Sequence, residues 1–169
     1  MDLACFKHDV GLAWLWLAAS RGAFGEMHAV ISERQMRSHD GRAEGRAEPL
    51  GVRLAGVGPH GGDRRHYPDL LLETSTGHRV AVELELTPKG RVRREEIIGG
   101  FAADARIDAV LYLVENDSIG AAIESSGATV GVSSLVHVQR ARFAPSSGVA
   151  AAAAGRTGEL AVPGSERTR

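Results

Sequence analysis

The stretch "HYPDLLLETSTGHRVAVELELTPKG", His66 to Gly90, holds two apolar runs separated by a short polar turn. Alternate residues of a strand share a face. In the second run Val80, Val82, Leu84 and Leu86 therefore point into a core, while Ala81, Glu83, Glu85 and Thr87 point the other way. In the first run Leu70 and Leu72 share one face and Asp69, Leu71 and Glu73 the opposite one. A three-residue loop, Ser75-Thr76-Gly77 with Gly77 left-handed, sets Thr74 against His78. Continued along the ladder, that register puts Asp69 opposite Glu83. A two-residue loop would set Asp69 against Leu84 and mix carboxylate with core on one surface, a slip that burial forbids. The expectation is a hairpin on which Asp69, Glu83 and Glu85 converge.

Three carboxylates on one face repel each other unless a cation, protons or arginines compensate. Hard oxygen donors of this kind suit Mg²⁺ or Mn²⁺. A bound divalent ion would clamp a phosphate oxygen and activate a water for in-line hydrolysis. The other reading is a solvated face on which Glu83 and Glu85 pair with Arg79, Arg93 or Arg94. Residue pattern alone leaves both open.

Outward from the hairpin, residues 8–22 predict a helix, closed by Arg21-Gly22. "MHAVI" reads as a strand. In "SERQMR", Ser32 and Gln35 have the spacing of a capping box, and Glu33 is an extra acid if this turn folds back over the site. Residues 38–65 are rich in Gly and charge, and read as either a flexible insertion or a functional loop, with one strand-like piece, "GVRLAG". After the hairpin a helix is expected over "GRVRREEIIGGFAADAR", where Gly99-Gly100 signals close packing or a kink. "DAVLYLVEN" is a continuous apolar run, the pattern of a strand covered on both faces. "DSIGAAIESSG" predicts a helix capped by Asp117 or Ser118 and stopped by Gly127, and "ATVGVSSLVHVQ" a last strand. The element order is α-β-β-β-α-β-α-β, an α/β (α+β) domain over residues 1–143 with a central mixed sheet flanked by helices. Residues 144–169 read as a disordered low-complexity tail.

The bulk numbers restrict the function. A formal net charge of −1 provides no global field for nucleic acid, so any such contact needs a local patch. "KGRVRREE" is one, with Lys89, Arg91, Arg93 and Arg94 at the start of a helix, balanced in part by Glu95 and Glu96. Cys5 is the one cysteine, which excludes an internal disulfide and fits a reducing, cytoplasmic location. "VGLAWLWLAA" is too short to span a membrane, which takes roughly 20 residues, so no membrane partner is expected. The 7 histidines show no HxH or HExxH spacing, which argues against zinc. His66, three residues before Asp69, is either a loop histidine with no special role or a contact to a phosphate or to a metal ligand. No GxGxxG, Walker or GxSxG motif appears.

Pro68-Asp69 before a strand, a polar hairpin, and Glu83-Leu84-Glu85 in the next strand resemble the PD-(D/E)xK nuclease superfamily. The wider run "HYPDLLLETSTGHRVAVELELTPKGRVRREEI" is more specifically similar to the replication-relaxation family, DNA-associated proteins of plasmids and integrative elements. The likeness spans about residues 8–138 and is concentrated in 66–98. It implies a restriction-endonuclease-like core, DNA as partner, Mg²⁺ or Mn²⁺ as cofactor, and Asp69 and Glu83 as metal ligands. The superfamily's third position holds a lysine that orients water and stabilises developing charge; here it is Glu85. Lys89 has the parity to share that face, yet four residues of strand span roughly 13 Å, so its ammonium arrives only if the chain bends at Pro88. Arg91 and Arg94 are other candidate cations, and Glu85 is either a third ligand or the residue that silences the site. Relatives of this kind carry a winged-helix segment ahead of the matched region, so a protein partner supplying DNA reading is expected. The resemblance thus implies either a metal-dependent nuclease or a catalytically inactive module that binds DNA or a protein.

Overall fold

The structure is a computed structural model that describes residues 3–42, 48–58 and 61–141. The expected tail, 144–169, lies outside the described residues. In chain order the elements are α1 (Leu3–Ser20), β1 (Met27–Ser32), α2 (Glu33–Arg42), β2 (Val52–Val57), β3 (Asp63–His66), β4 (Leu70–Thr74), β5 (Arg79–Glu85), α3 (Arg91–Ala103), β6 (Ala109–Val114), α4 (Asp117–Val130) and β7 (Val136–Arg140). The described residues form a mixed α/β fold. Its main sheet has five strands in the order β1-β4-β5-β6-β7, antiparallel from β1 to β5 and parallel from β5 to β7. With α2 and the β2–β3 pair set aside, the elements run in the expected order α-β-β-β-α-β-α-β.

Strand parity decides which layer each side chain enters. In β6, Val110, Tyr112 and Val114 pack with α3 and α4 on one side of the sheet. Leu111 and Leu113 pack on the other side with Leu15 and Ala19 of α1. That double coverage is why β6 is apolar at every position. β5 differs at its carboxyl end. Val82 and Leu84 enter the α1 layer and Ala81 the α3–α4 layer, but the next two positions on that second face are Glu83 and Glu85.

The hairpin register is the expected one. Leu70 pairs with Val82, Leu72 with Val80 and Glu73 with Arg79, a register that, extended one residue past the strand, sets Asp69 opposite Glu83. Gly77 has φ 85°, and the Thr74 N–H donates to the His78 carbonyl over 2.9 Å. The Ser32–Gln35 capping box also forms: Oε1 of Gln35 accepts the Ser32 N–H at 2.8 Å, and Oγ of Ser32 accepts the Gln35 N–H at 3.4 Å.

Four expectations need correction. First, α1 ends at Ser20 rather than residue 22, and it is buried on only one face. Phe6, Val10, Trp14 and Trp16 are exposed, both tryptophans among them, because apolar residues occur on more than one face of the helix and the sheet covers only one side. Second, the described residues of 38–65 hold more than the expected strand-like piece "GVRLAG", which becomes β2: they also contribute the end of α2 and the β3 partner of a β2–β3 hairpin. Val52 of β2 is fully buried in the α3–α4 core. Third, α4 is capped by Asn116, whose side chain accepts the Ile119 N–H, rather than by Asp117 or Ser118. Fourth, α4 runs through Gly127 to Val130. A Cβ on Gly127 would meet the Val136 side chain at 3.5 Å, ordinary van der Waals contact with β7, whereas Gly131, with φ 81°, is the residue that ends the helix.

The two adjacent glycines of α3 differ in the same way. A Cβ on Gly100 would lie 2.6 Å from Leu54 Cδ2 and 3.1 Å from the Arg53 carbonyl oxygen, while one on Gly99 meets nothing within 4 Å. Gly99→Ala should stabilise the protein by about 0.5–1 kcal/mol through helix propensity. Gly100→Ala should destabilise it by about 1–2 kcal/mol, because β2 would be pushed off α3. Urea unfolding of the two variants checks this, and equal effects would mean that β2 does not bear on α3.

Candidate functional site

A cleft of about 530 Å³ opens at the carboxyl end of β5, and the sheet and its neighbours supply its walls. It is lined from five directions: His8 of α1, Glu33 and Arg37 of α2, His66 and Tyr67 at the end of β3, Asp69 ahead of β4, and Glu83 to Lys89 along β5 and its exit. Carboxyl ends of parallel strands are where helices part and leave space for ligands. The glutamates of β5 follow Ala81 on the face of the α3–α4 layer and line this cleft while staying almost fully buried.

Glu83 is buried at 2% exposure and accepts contacts from two cations or potential cations. Its Oε1 lies 2.6 Å from His66 Nε2, and its Oε2 lies 3.3 Å from the Lys89 ammonium. The His66 ring stands edge-on to Phe101 at 5.5 Å between centroids, so α3 sets its orientation. Glu85 is buried at 2% as well. Its Oε1 accepts the Lys89 backbone N–H at 3.0 Å. Its Oε2 lies 3.1 Å from the Lys89 ammonium, yet off the direction a hydrogen bond needs, so this buried oxygen keeps an unspent acceptor.

Lys89 is where the bend decides the chemistry. The strand ends at Glu85, Thr87 and Pro88 turn the chain outward, and the ammonium comes back onto both glutamates. Burial works against its charge, but Glu83 and Glu85 more than offset that, and its pKa is raised above the ordinary 10.5. Beside Glu83 in the ladder is Tyr112, whose hydroxyl burial and the two carboxylates push far up, leaving it protonated.

Asp69 lines the same cleft but does not join the two glutamates in one ligand group. Its Oδ2 accepts the Leu84 N–H at 2.7 Å and lies 3.5 Å from His8 Nε2. The hydrogen bond to Asp69 raises the His8 pKa, against its partial burial. Among the described residues no three His, Cys, Asp or Glu side chains are arranged to hold an ion. The convergence expected of Asp69, Glu83 and Glu85 is therefore a shared cleft rather than a triad. The physical reason is local: a buried backbone N–H and an imidazole hold the Asp69 carboxylate, and both are absent from strand-parity reasoning.

Arg91 and Arg93 reach the surface of α3, paired with Glu95 at 2.6 Å and Glu96 at 2.7 Å. Arg64 of β3 also pairs with Glu96. Arg94 turns inward and is 7% exposed, with Nε donating to Ser126 Oγ at 2.8 Å and Nη1 to the Lys89 carbonyl at 3.0 Å. Its place is structural interior, not an outer basic face. Glu33 does fold over the cleft: its N–H donates to the Asp69 carbonyl at 3.1 Å, and its side chain pairs with Arg37. Arg37 lies 4.4 Å over the Tyr67 ring. His8, Arg37 and Tyr67 gave no signal in sequence pattern, because each reaches the cleft from an element that only tertiary packing brings there.

Among the described residues no helix is long and apolar enough to cross a membrane. Comparison with family models, with curated proteins and with solved structures gives no match for this chain.

Proposed function

We propose that this chain is a restriction-endonuclease-like domain of the PD-(D/E)xK kind, similar to replication-relaxation proteins of mobile elements, that acts on DNA in the cytoplasm and hydrolyses phosphodiesters with Mg²⁺ or Mn²⁺. The observation that carries the reading is Lys89. Its ammonium occupies the neighbourhood of the strand carboxylates, within 3.3 Å of Glu83 and 3.1 Å of Glu85, although it is displaced in sequence from the usual position. The sheet order and the hairpin that sets Asp69 opposite Glu83 support the same fold assignment.

The donor chemistry, carboxylate oxygens lining one cleft, suits a hard divalent ion, although among the described residues these acids are not gathered into one ligand group. All three acids offer oxygen, and Mg²⁺ commonly takes one or two carboxylates and fills its remaining places with water and substrate phosphate. The buried Oε2 of Glu85, with its unspent acceptor, is a further oxygen donor in the same cleft. Asp69 and Glu83 would hold the ion, which when bound polarises a phosphate oxygen and acidifies a water. The chain's own residues do the rest. Lys89 stabilises charge developing on the phosphoryl oxygens and orients the attacking water. His66 holds Glu83 in place from behind, and Arg37 at the cleft wall offers a guanidinium to a phosphate.

A second reading, a catalytically inactive module that binds DNA or a protein, is favoured by one observation. Both oxygens of Glu83 already have partners inside the protein, so the acids are compensated without an ion. Supercoiled plasmid incubated with the purified chain and Mg²⁺ or Mn²⁺ separates the two. The nuclease reading expects nicking that EDTA abolishes and that falls at least about 100-fold in Asp69→Asn and in Glu83→Gln. Absence of cleavage, with neither ion raising the melting temperature, leaves the inactive module. A salt-sensitive gel shift that weakens on replacing Arg91 and Arg93 would then assign it to DNA rather than to a protein partner.

A further inference from the structure

We propose that Arg94 is a positioning residue that works from inside the protein to hold the β5–α3 bend, and through it the Lys89 ammonium, against Glu83 and Glu85. Both polar groups of the Lys89 peptide are held by side chains. The N–H donates to Glu85 Oε1 at 3.0 Å, and the carbonyl accepts from Arg94 Nη1 at 3.0 Å. With the backbone pinned at both ends, the side chain has one short way back to the carboxylates. Nothing else on α3 does this work. Its N-cap, Gly90, has no side chain to make a cap, and the Arg94 N–H itself accepts the first-turn role by donating to the Gly90 carbonyl at 3.0 Å.

The guanidinium is anchored in turn. Its Nε donates to Ser126 Oγ at 2.8 Å, on a residue of α4 that is 2% exposed. Arg94 therefore ties three things together: the α4 interior, the start of α3 and the bend. The task needs a rigid planar fork that donates in two fixed directions, which a single ammonium does not supply. The meaning of this placement for catalysis rests on the nuclease reading. The placement itself does not.

The test uses the ¹⁵N-labelled full chain and two readouts that need no activity. One is hydrogen exchange of the Lys89 amide; the other is the lysine side-chain ammonium correlation near pH 6. The chain's two lysines are Lys7 and Lys89, so the second spectrum is assigned by one substitution. In the wild type the Lys89 amide should exchange slowly and its ammonium signal should be visible, given its hydrogen bond to Glu85 and its contacts to both glutamates. In Arg94→Gln the amide should exchange at least about 10-fold faster and the ammonium signal should vanish, while Ile98 and Phe101 amides stay protected. Arg94→Lys keeps the charge and should behave like Arg94→Gln. Ser126→Ala removes only the anchor and should accelerate exchange about 3–10-fold, which keeps the question decidable if Arg94→Gln does not fold. Unchanged Lys89 readouts in a folded Arg94→Gln or Ser126→Ala protein overturn the proposal, and so does full rescue by Arg94→Lys. If the wild type cleaves DNA, Arg94→Lys should lower kcat with KM unchanged. If it does not cleave, the nuclease reading fails while the exchange data still decide on Arg94.

Discussion

Under the proposed nuclease function, Lys89→Ala should lower divalent-dependent DNA cleavage by about 10²–10³-fold and leave DNA binding within a few-fold of wild type, since the ammonium would act on charge that develops only in the transition state. A plasmid-nicking time course at saturating DNA, with a gel shift alongside, measures both. The same variant has a second signature that does not depend on activity. Glu83 and Glu85 are nearly sealed from water, and Lys89 is the one ammonium against them. Removing it leaves two like charges facing each other in a poorly solvated place. Because the Lys89 side chain is itself 37% exposed, the cost is discounted from that of a fully buried pair, to about 1–3 kcal/mol. The pH dependence has a definite sign. A lysine whose folded pKa is raised contributes stability fully below its unfolded value of 10.5, and that contribution is lost as pH climbs through the folded value. The wild type should therefore lose stability above about pH 10.5 in a step that Lys89→Ala lacks. Unaltered stability together with unaltered cleavage would remove Lys89 from the site altogether.

Phe101→Ala should cost about 3–5 kcal/mol, the largest stability loss we expect of any single change in the protein. Phe101 is fully buried in the layer between α3, α4 and the sheet. It is also the surface against which His66 is set, at 5.5 Å between rings, so the cavity opens directly behind the imidazole that holds Glu83. Urea unfolding should show a lower midpoint at an unchanged slope, and cleavage, where measured, should fall together with the His66–Glu83 contact. A loss below about 1 kcal/mol would mean that the site collapses around the missing ring, and that α3 does not fix the histidine.

How much of this was legible in advance follows from the range of the interactions. The hairpin was readable because its loop and parity are local: Gly77 selects the turn, the turn selects the register, and one slipped residue would have buried acids with leucines. The capping box of α2 was readable for the same reason. The end of α4 was misread at Gly127 because a glycine's role, close packing or left-handed φ, depends on what stands opposite it. In 38–65 the strand-like piece "GVRLAG" was legible and holds β2, but the core role of Val52 and Leu54 was not, because they become core only when α3 arrives.

By itself the sequence determined the alternation that commits β4 and β5 to one register, the apolar run that makes β6 a doubly covered strand, and the placing of two glutamates at the open end of β5. Each is a property of residues a few positions apart, whose geometry the backbone dictates. Only the tertiary structure decided that Asp69 answers to Leu84 and His8, that Arg94 faces inward, and that Lys89 returns to the acids it follows. Those outcomes hang on hydrogen bonds between elements far apart in the chain, and a buried charge goes wherever packing leaves it a partner.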